Sequence, residues 1–153
     1  MNGSVEARLR VRLRRRDSGR AIVEFLVVGL LVLLPVMYFV VALSRVQAAA
    51  FAVSTASREA GRAFTTAATE DGAYPRAQGA AQISFEDYDF AADGTLGLSC
   101  DGAPCLRPQG RVETVATVNV RLPLVPDLLS GAIPAFLPVS ATHVATVDRF
   151  RGR

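Results

Sequence analysis

Hydrophobic and polar residues change their rhythm along this chain several times. Met1 to Ser18 is polar and dense in arginine, whereas Ala21 to Leu43 is almost wholly apolar, with no charged residue from Phe25 to Leu43. Beyond Leu43 the apolar positions recur at intervals of three and four: Val46, Ala49, Ala50, Val53, Ala56, Ala60, Ala63, Phe64 and Ala67. That spacing puts them on one helical face. From Ile83 onward the period shortens to two, in Ile83–Phe90, Arg111–Leu124 and Pro138–Phe150.

The apolar run predicts a single helix. At a rise of ~1.5 Å per residue, Ala21 to Leu43 reaches roughly 33 Å, enough to cross a hydrocarbon core of ~30 Å. Within lipid the backbone has to satisfy its own hydrogen bonds, which a helix does. Pro35 removes one of those bonds in mid-span, a loss that neighbouring helices make good when they supply a donor to the freed carbonyl. Gly29 offers a small contact face. Past Leu43 the stretch SRVQAAAFAVSTASREAGRAFTTAATE is rich in alanine, the best helix former, and contains no proline before Pro75. One helix of about fifty residues is expected, ending at Asp71-Gly72 and Tyr74-Pro75. Arg76–Gln82 adds at most a further turn.

The period-two stretches predict strands. Arg111–Leu124 is the clearest, with Val112, Thr114, Ala116, Val118 and Val120 in one register and Val115, Thr117, Asn119 and Arg121 in the other. Pro138–Phe150 alternates as well and is expected to pair antiparallel with it across a loop punctuated by Pro123, Pro126 and Pro134. Ile83–Phe90 reads as a more mixed strand, and Asp93–Gly110 as a loop. The class is therefore α+β: a long amino-terminal helix followed by a small antiparallel sheet domain. The expected organisation is a leader over residues 1–19, a membrane helix over 20–44, its continuation over 45–72 and a β-rich domain over 73–153.

Charge sharpens this picture. The overall formal charge of +3 conceals seven arginines against Glu6 and Asp17 in residues 1–20, and nine arginines against eleven acids in residues 46–153. The basic character belongs to the leader and is no nucleic-acid footprint. Basic flanks stay on the cytoplasmic side, so residues beyond about Ser44 are expected outside the cytoplasmic membrane. The leader's like charges repel one another, and a disordered segment is expected there.

Cys100 and Cys105 fall in that outer portion, where an oxidising compartment permits a disulfide. Four residues separate them, two of them turn formers, and the pair suits a clamped tight turn. A thioredoxin-like redox motif has two residues between its cysteines. Asp87, Asp89 and Asp93 lack the loop glycine and terminal glutamate of a calcium hand and read as a solvated acidic edge. His143 stands between apolar residues of a strand, and no nucleophile–base pair, phosphate loop or metal-ligand set accompanies it. An enzyme, a cofactor and a metal site are not expected.

The unusual residue is Glu24, an acid one turn inside the apolar start, where an ionised carboxylate is costly and functional by default. It is the fifth residue after Gly19, follows an arginine-rich stretch, and directly precedes Phe25, where the charge-free run begins. This constellation resembles a class III prepilin signal. The segment SGRAIVEF, followed by a Leu/Val run with an internal proline, is similar to the TadE-like family of minor pilins and pseudopilins of tight-adherence pili. Arg111–Leu124, the Pro-rich apolar loop and the PVSA opening of the last strand resemble the carboxyl half of that family more loosely. The resemblance implies a pilin-like fold and cleavage by a prepilin peptidase between Gly19 and Arg20. It also implies assembly with other pilins and an assembly platform through the helix, with Glu24 and Phe25 as the recognition residues. Two other readings use the same residues: an unprocessed signal-anchored extracytoplasmic module, and a secreted protein cut by signal peptidase after Ala48-Ala49-Ala50. The apolar run is far longer than the 7–15 residues of a signal-peptide core.

Overall fold

A computed structural model describes the backbone of residues 3–121 and 136–150, and side chains from Arg20 onward. The architecture is α+β. Helix α1 spans Gly3–Thr65 and helix α2 spans Glu70–Asp87; strands β1 (Gly94–Cys100), β2 (Arg111–Arg121) and β3 (Phe136–Thr146) follow. The chain divides into two compact units, Met1–Val41 and Ala42–Arg153.

The first unit is helix alone. The arginine-rich leader, expected to be disordered, is helical from Gly3. Arginine, leucine and alanine are all good helix formers and no proline precedes Pro35, so local propensity outweighs repulsion among the arginines.

The second unit is a three-stranded antiparallel sheet, in the order β1-β2-β3, with helices on one face. β2 pairs with both neighbours in continuous register, Leu96 and Ala141 both lying opposite Ala116. Its expected inward row is buried: Val112, Thr114, Ala116, Val118 and Val120. From α1 the buried set is Ala49, Ala52, Val53, Ala56, Ser57, Ala60 and Phe64. Ala50, expected on that face, is exposed, and Ala52 and Ser57 take the place beside Val53 and Ala56. At Gly61 the helix comes so near the sheet that a Cβ would stand 3.0 Å from the Ala145 methyl. One helical turn earlier, the Thr114 hydroxyl donates to the Ser57 carbonyl at 2.7 Å, tying helix to sheet through a buried polar bond.

Three further expectations are corrected. The long helix ends at Thr65, before Asp71-Gly72, with the Thr65 and Thr66 hydroxyls donating to the Gly61 and Arg62 carbonyls of its last turn. A second helix then starts where a stop was expected. Thr69 caps it by accepting from the Gly72 N–H, and Glu70 and Asp71 favour its positive end. Pro75 sits early in this helix, opposite the carbonyl of exposed Asp71, which water can satisfy.

Ile83–Phe90 is likewise not a strand: most of it is the end of α2. The buried spacing Ala73, Ala77, Ala81, Phe85 shows the four-residue period that a short window over Ile83–Phe90 hides. The helix closes with a Schellman motif, in which the Phe90 N–H reaches the Phe85 carbonyl at 2.8 Å and the Asp89 N–H reaches that of Glu86. Asp89 occupies the left-handed position at φ 65°, where glycine is usual.

The third correction concerns Asp93–Gly110, expected as loop, which contains β1. Its glycines conceal the pattern, yet Leu96, Leu98 and Cys100 face the helices and Gly94 leaves room for the Phe85 ring. β3 begins at Phe136, two residues ahead of Pro138. Bonds between Val147 and both Gln109 and Gly110 turn the odd-numbered residues of β3 toward β2, so the missing N–H of Pro138 faces the free edge. The Pro-rich loop around Pro123, Pro126 and Pro134 lies outside the described residues.

Candidate functional site

The candidate site is the amino-terminal helix face around Glu24. From Ile22 to Leu43 every large aliphatic or phenylalanine side chain is exposed, Phe25 most of all at 77%. Leaving one such side chain in water costs about 1.5–3 kcal/mol, so the helix as a whole carries a penalty on the order of tens of kcal/mol. The exposed surface is compatible with an apolar surrounding such as a bilayer. Arg20–Thr65 contains a segment long and apolar enough to cross a membrane.

The residues singled out from the pattern all lie on α1. Gly19 is within its helical backbone, and Arg20, Glu24 and Phe25 are exposed. Glu24 has no hydrogen-bond or ion-pair partner among the described residues. α1 thus brings Arg20 and Glu24 onto consecutive turns of one face, with Phe25 beside them, and no ion pair engages the carboxylate among the described residues.

Cys100 and Cys105 form a disulfide, with their Cα atoms 5.5 Å apart. The loop it closes is held from several sides. The Asp101 carboxylate accepts from the Arg111 backbone N–H at 2.9 Å and from the Arg107 guanidinium at 2.8 Å. Those contacts, the backbone bond first, hold its carboxyl below the usual carboxylate range. Glu70, at the start of α2, accepts from the Cys105 N–H at 3.2 Å. The Tyr74 ring meets Phe64 edge-to-face at 5.0 Å, and its hydroxyl lies 3.8 Å from the Cys105 sulfur. Glu70 and Tyr74 escaped the sequence reading, because the helix that places them was not expected. These contacts make the loop a brace between α2 and the sheet.

His143 lies on β3 opposite Thr114, half-buried toward α1, and its ring edge comes within 3.3 Å of where a Gly61 Cβ would stand. Its backbone carbonyl accepts from Thr114. Asp89 pairs with Arg45 and Asp93 with Arg121, both at 3.4 Å, so two of the three clustered acids are engaged at the surface. No protein-family model, curated protein or solved structure matches this chain.

Proposed function

We propose that this chain is a membrane-anchored subunit of the minor-pilin type, similar to the TadE-like proteins. In this reading a prepilin peptidase cuts between Gly19 and Arg20, and the apolar helix carries assembly. The residues before the cut lie in the cytoplasm, and the sheet domain lies outside the cytoplasmic membrane. Other pilins and the assembly platform are the partners. The observation that carries the proposal is Glu24, the one acid of the exposed, apolar stretch Ala21–Leu43, without a partner among the described residues. Cleavage after Gly19 creates a cation, the α-amino group of Arg20, and in an assembly Glu24 of one subunit neutralises that group on the next. The Cys100–Cys105 disulfide fits an extracytoplasmic domain.

The test is the amino-terminal residue of the protein extracted from membranes of a host with active prepilin peptidase. A chain beginning at Arg20 is expected, and Gly19→Ala should block or slow its formation. Recovery of the intact Met1–Arg153 chain overturns the proposal, and a start at Phe51 assigns the cut to signal peptidase. Glu24→Leu should insert and be processed normally yet lose incorporation into pili. One observation favours the unprocessed anchor as a second reading: α1 runs through Gly19, so the bond to be cut lies within helical backbone and has to unwind first.

A further inference from the structure

The membrane helix carries other polar features besides Glu24, and they share its face. On a helix of 3.6 residues per turn, Val28, Leu31, Pro35, Tyr38 and Ala42 all fall within about 40° of Glu24. Pro35 has no N–H, so the carbonyl of Leu31, four residues earlier, is without its regular intrahelical donor. That carbonyl lies on the same stripe, where the Leu31 side chain is 69% exposed. Tyr38 presents a hydroxyl, one turn beyond Pro35, with no partner among the described residues. One face thus holds an acid, a carbonyl short of a donor and a free donor. The remainder of the span offers lipid only apolar side chains.

We propose that this stripe is a homotypic packing face, through which two parallel copies of the chain join in the membrane with an axial offset of about four residues, or ~6 Å. The offset follows from two requirements that agree. Placing Glu24 of one copy level with Arg20 of the other brings the carboxylate to the amino terminus made by cleavage. The same shift sets Tyr38 level with residue 34 of the other copy. Side chains on a helix lean toward its amino terminus, so the Tyr38 hydroxyl reaches back about a turn, to the Leu31 carbonyl. A copy without offset leaves the hydroxyl a full turn from that carbonyl and sets the two Glu24 carboxylates side by side. The Tyr38–Leu31 bond offsets the cost of the proline in hydrocarbon, where an unpaired carbonyl finds no water. The proposal deepens the assembly reading above and rests on it for the partner of Glu24, whereas the Tyr38–Leu31 contact does not depend on cleavage.

Two differently tagged full-length chains, one carrying Leu31→Cys and the other Val27→Cys, are co-expressed and their membranes oxidised with copper phenanthroline. Both substitutions leave the Leu31 carbonyl in place, and Cys100 and Cys105 are already bonded to each other. The cross-link between positions 31 and 27 is expected to exceed both like-with-like cross-links. Tyr38→Phe, which removes only the hydroxyl, should lower it about three- to twentyfold. In a Pro35→Ala background Leu31 regains its own donor, and the effect of Tyr38→Phe should shrink toward none. A dominant 31–31 product, an unchanged yield in Tyr38→Phe, or an equal loss in both backgrounds overturns the proposal. No dimer at all does so too, by removing the second copy as the occupant. The amino-terminal residue is read on the same sample. A chain starting at Arg20 without the offset cross-link rejects this interface and leaves the assembly reading standing. An intact chain rejects that reading, and the Tyr38 and Pro35 variants still judge the contact.

Discussion

Phe25 and Phe64 belong to the same helix and have opposite surroundings: the first is 77% exposed and the second wholly buried. The contrast extends to their neighbours. Across Ile22–Leu43 the large side chains, Leu, Val and Phe, lie in the open, whereas from Ala49 to Phe64 the buried positions are mostly alanine. Hydrophobicity alone therefore does not say where a residue is placed. Bulky side chains around the whole circumference give lipid many dispersion contacts and leave no face narrow enough to lie on a sheet. Small side chains on one stripe let the helix backbone approach β2 and β3, as at Gly61, and make room for a polar bond such as Thr114 to Ser57. The first region has no core of its own; the second has one.

The sharpest way to break this comparison is to make the same change in both regions. Phe64→Ala removes a fully buried ring that also meets Tyr74, and should destabilise the domain by about 3–5 kcal/mol. Phe25→Ala should leave the domain's melting transition in detergent unchanged. The near-UV circular dichroism of the tyrosines follows both, and a comparable loss in the two variants would mean that the exposed helix contributes to the domain's folding.

A smaller effect is expected from Thr114→Val, which keeps the shape and removes the hydroxyl shared by the Ser57 and His143 carbonyls. A destabilisation of about 1–3 kcal/mol should appear in urea titrations, since a buried carbonyl loses its donor. A neutral result would assign the closeness of α1 to alanine and glycine packing alone.

The smallest effect concerns the cysteine loop. Asp101 is held below its unfolded value by the Arg111 N–H and then by Arg107, so its contribution is present above the unfolded pKa of ~3.9. It fades as pH falls through the lower folded value. The protection factor of the Arg111 amide, corrected for intrinsic exchange, should therefore fall on acidification below about pH 4, and in Asp101→Asn that acid dependence should largely vanish. An unaltered acid dependence in the variant would place the sensitivity elsewhere.

Much of this was legible in the residues because the signals are strong and local. A charge-free run of large apolar side chains announces a membrane-length helix whatever follows it. β2 declares itself by strict alternation, and its inward row is the buried row. The Cys100–Cys105 pairing follows from short spacing in a turn-forming stretch. Ile83–Phe90 was misread because its alternation spans only a few residues, while the face that decides it starts at Ala73. β1 was missed because Gly94 and Gly97 have no side chains with which to mark a face.

The sequence by itself determined the apolar span, the position of Glu24 after Gly19, the central strand and the pair of cysteines, all of which depend on the chemistry and order of neighbouring residues. Only the tertiary structure decided where α1 stops, that α2 exists, and that a glycine-rich segment becomes an edge strand. Those outcomes depend on partners distant in sequence. Glu70 is satisfied by Cys105, Phe85 fits the space above Gly94, and β1 is a strand because β2 offers it a ladder. Burial and hydrogen bonding between remote segments outweigh local propensities that differ by less than ~1 kcal/mol per residue.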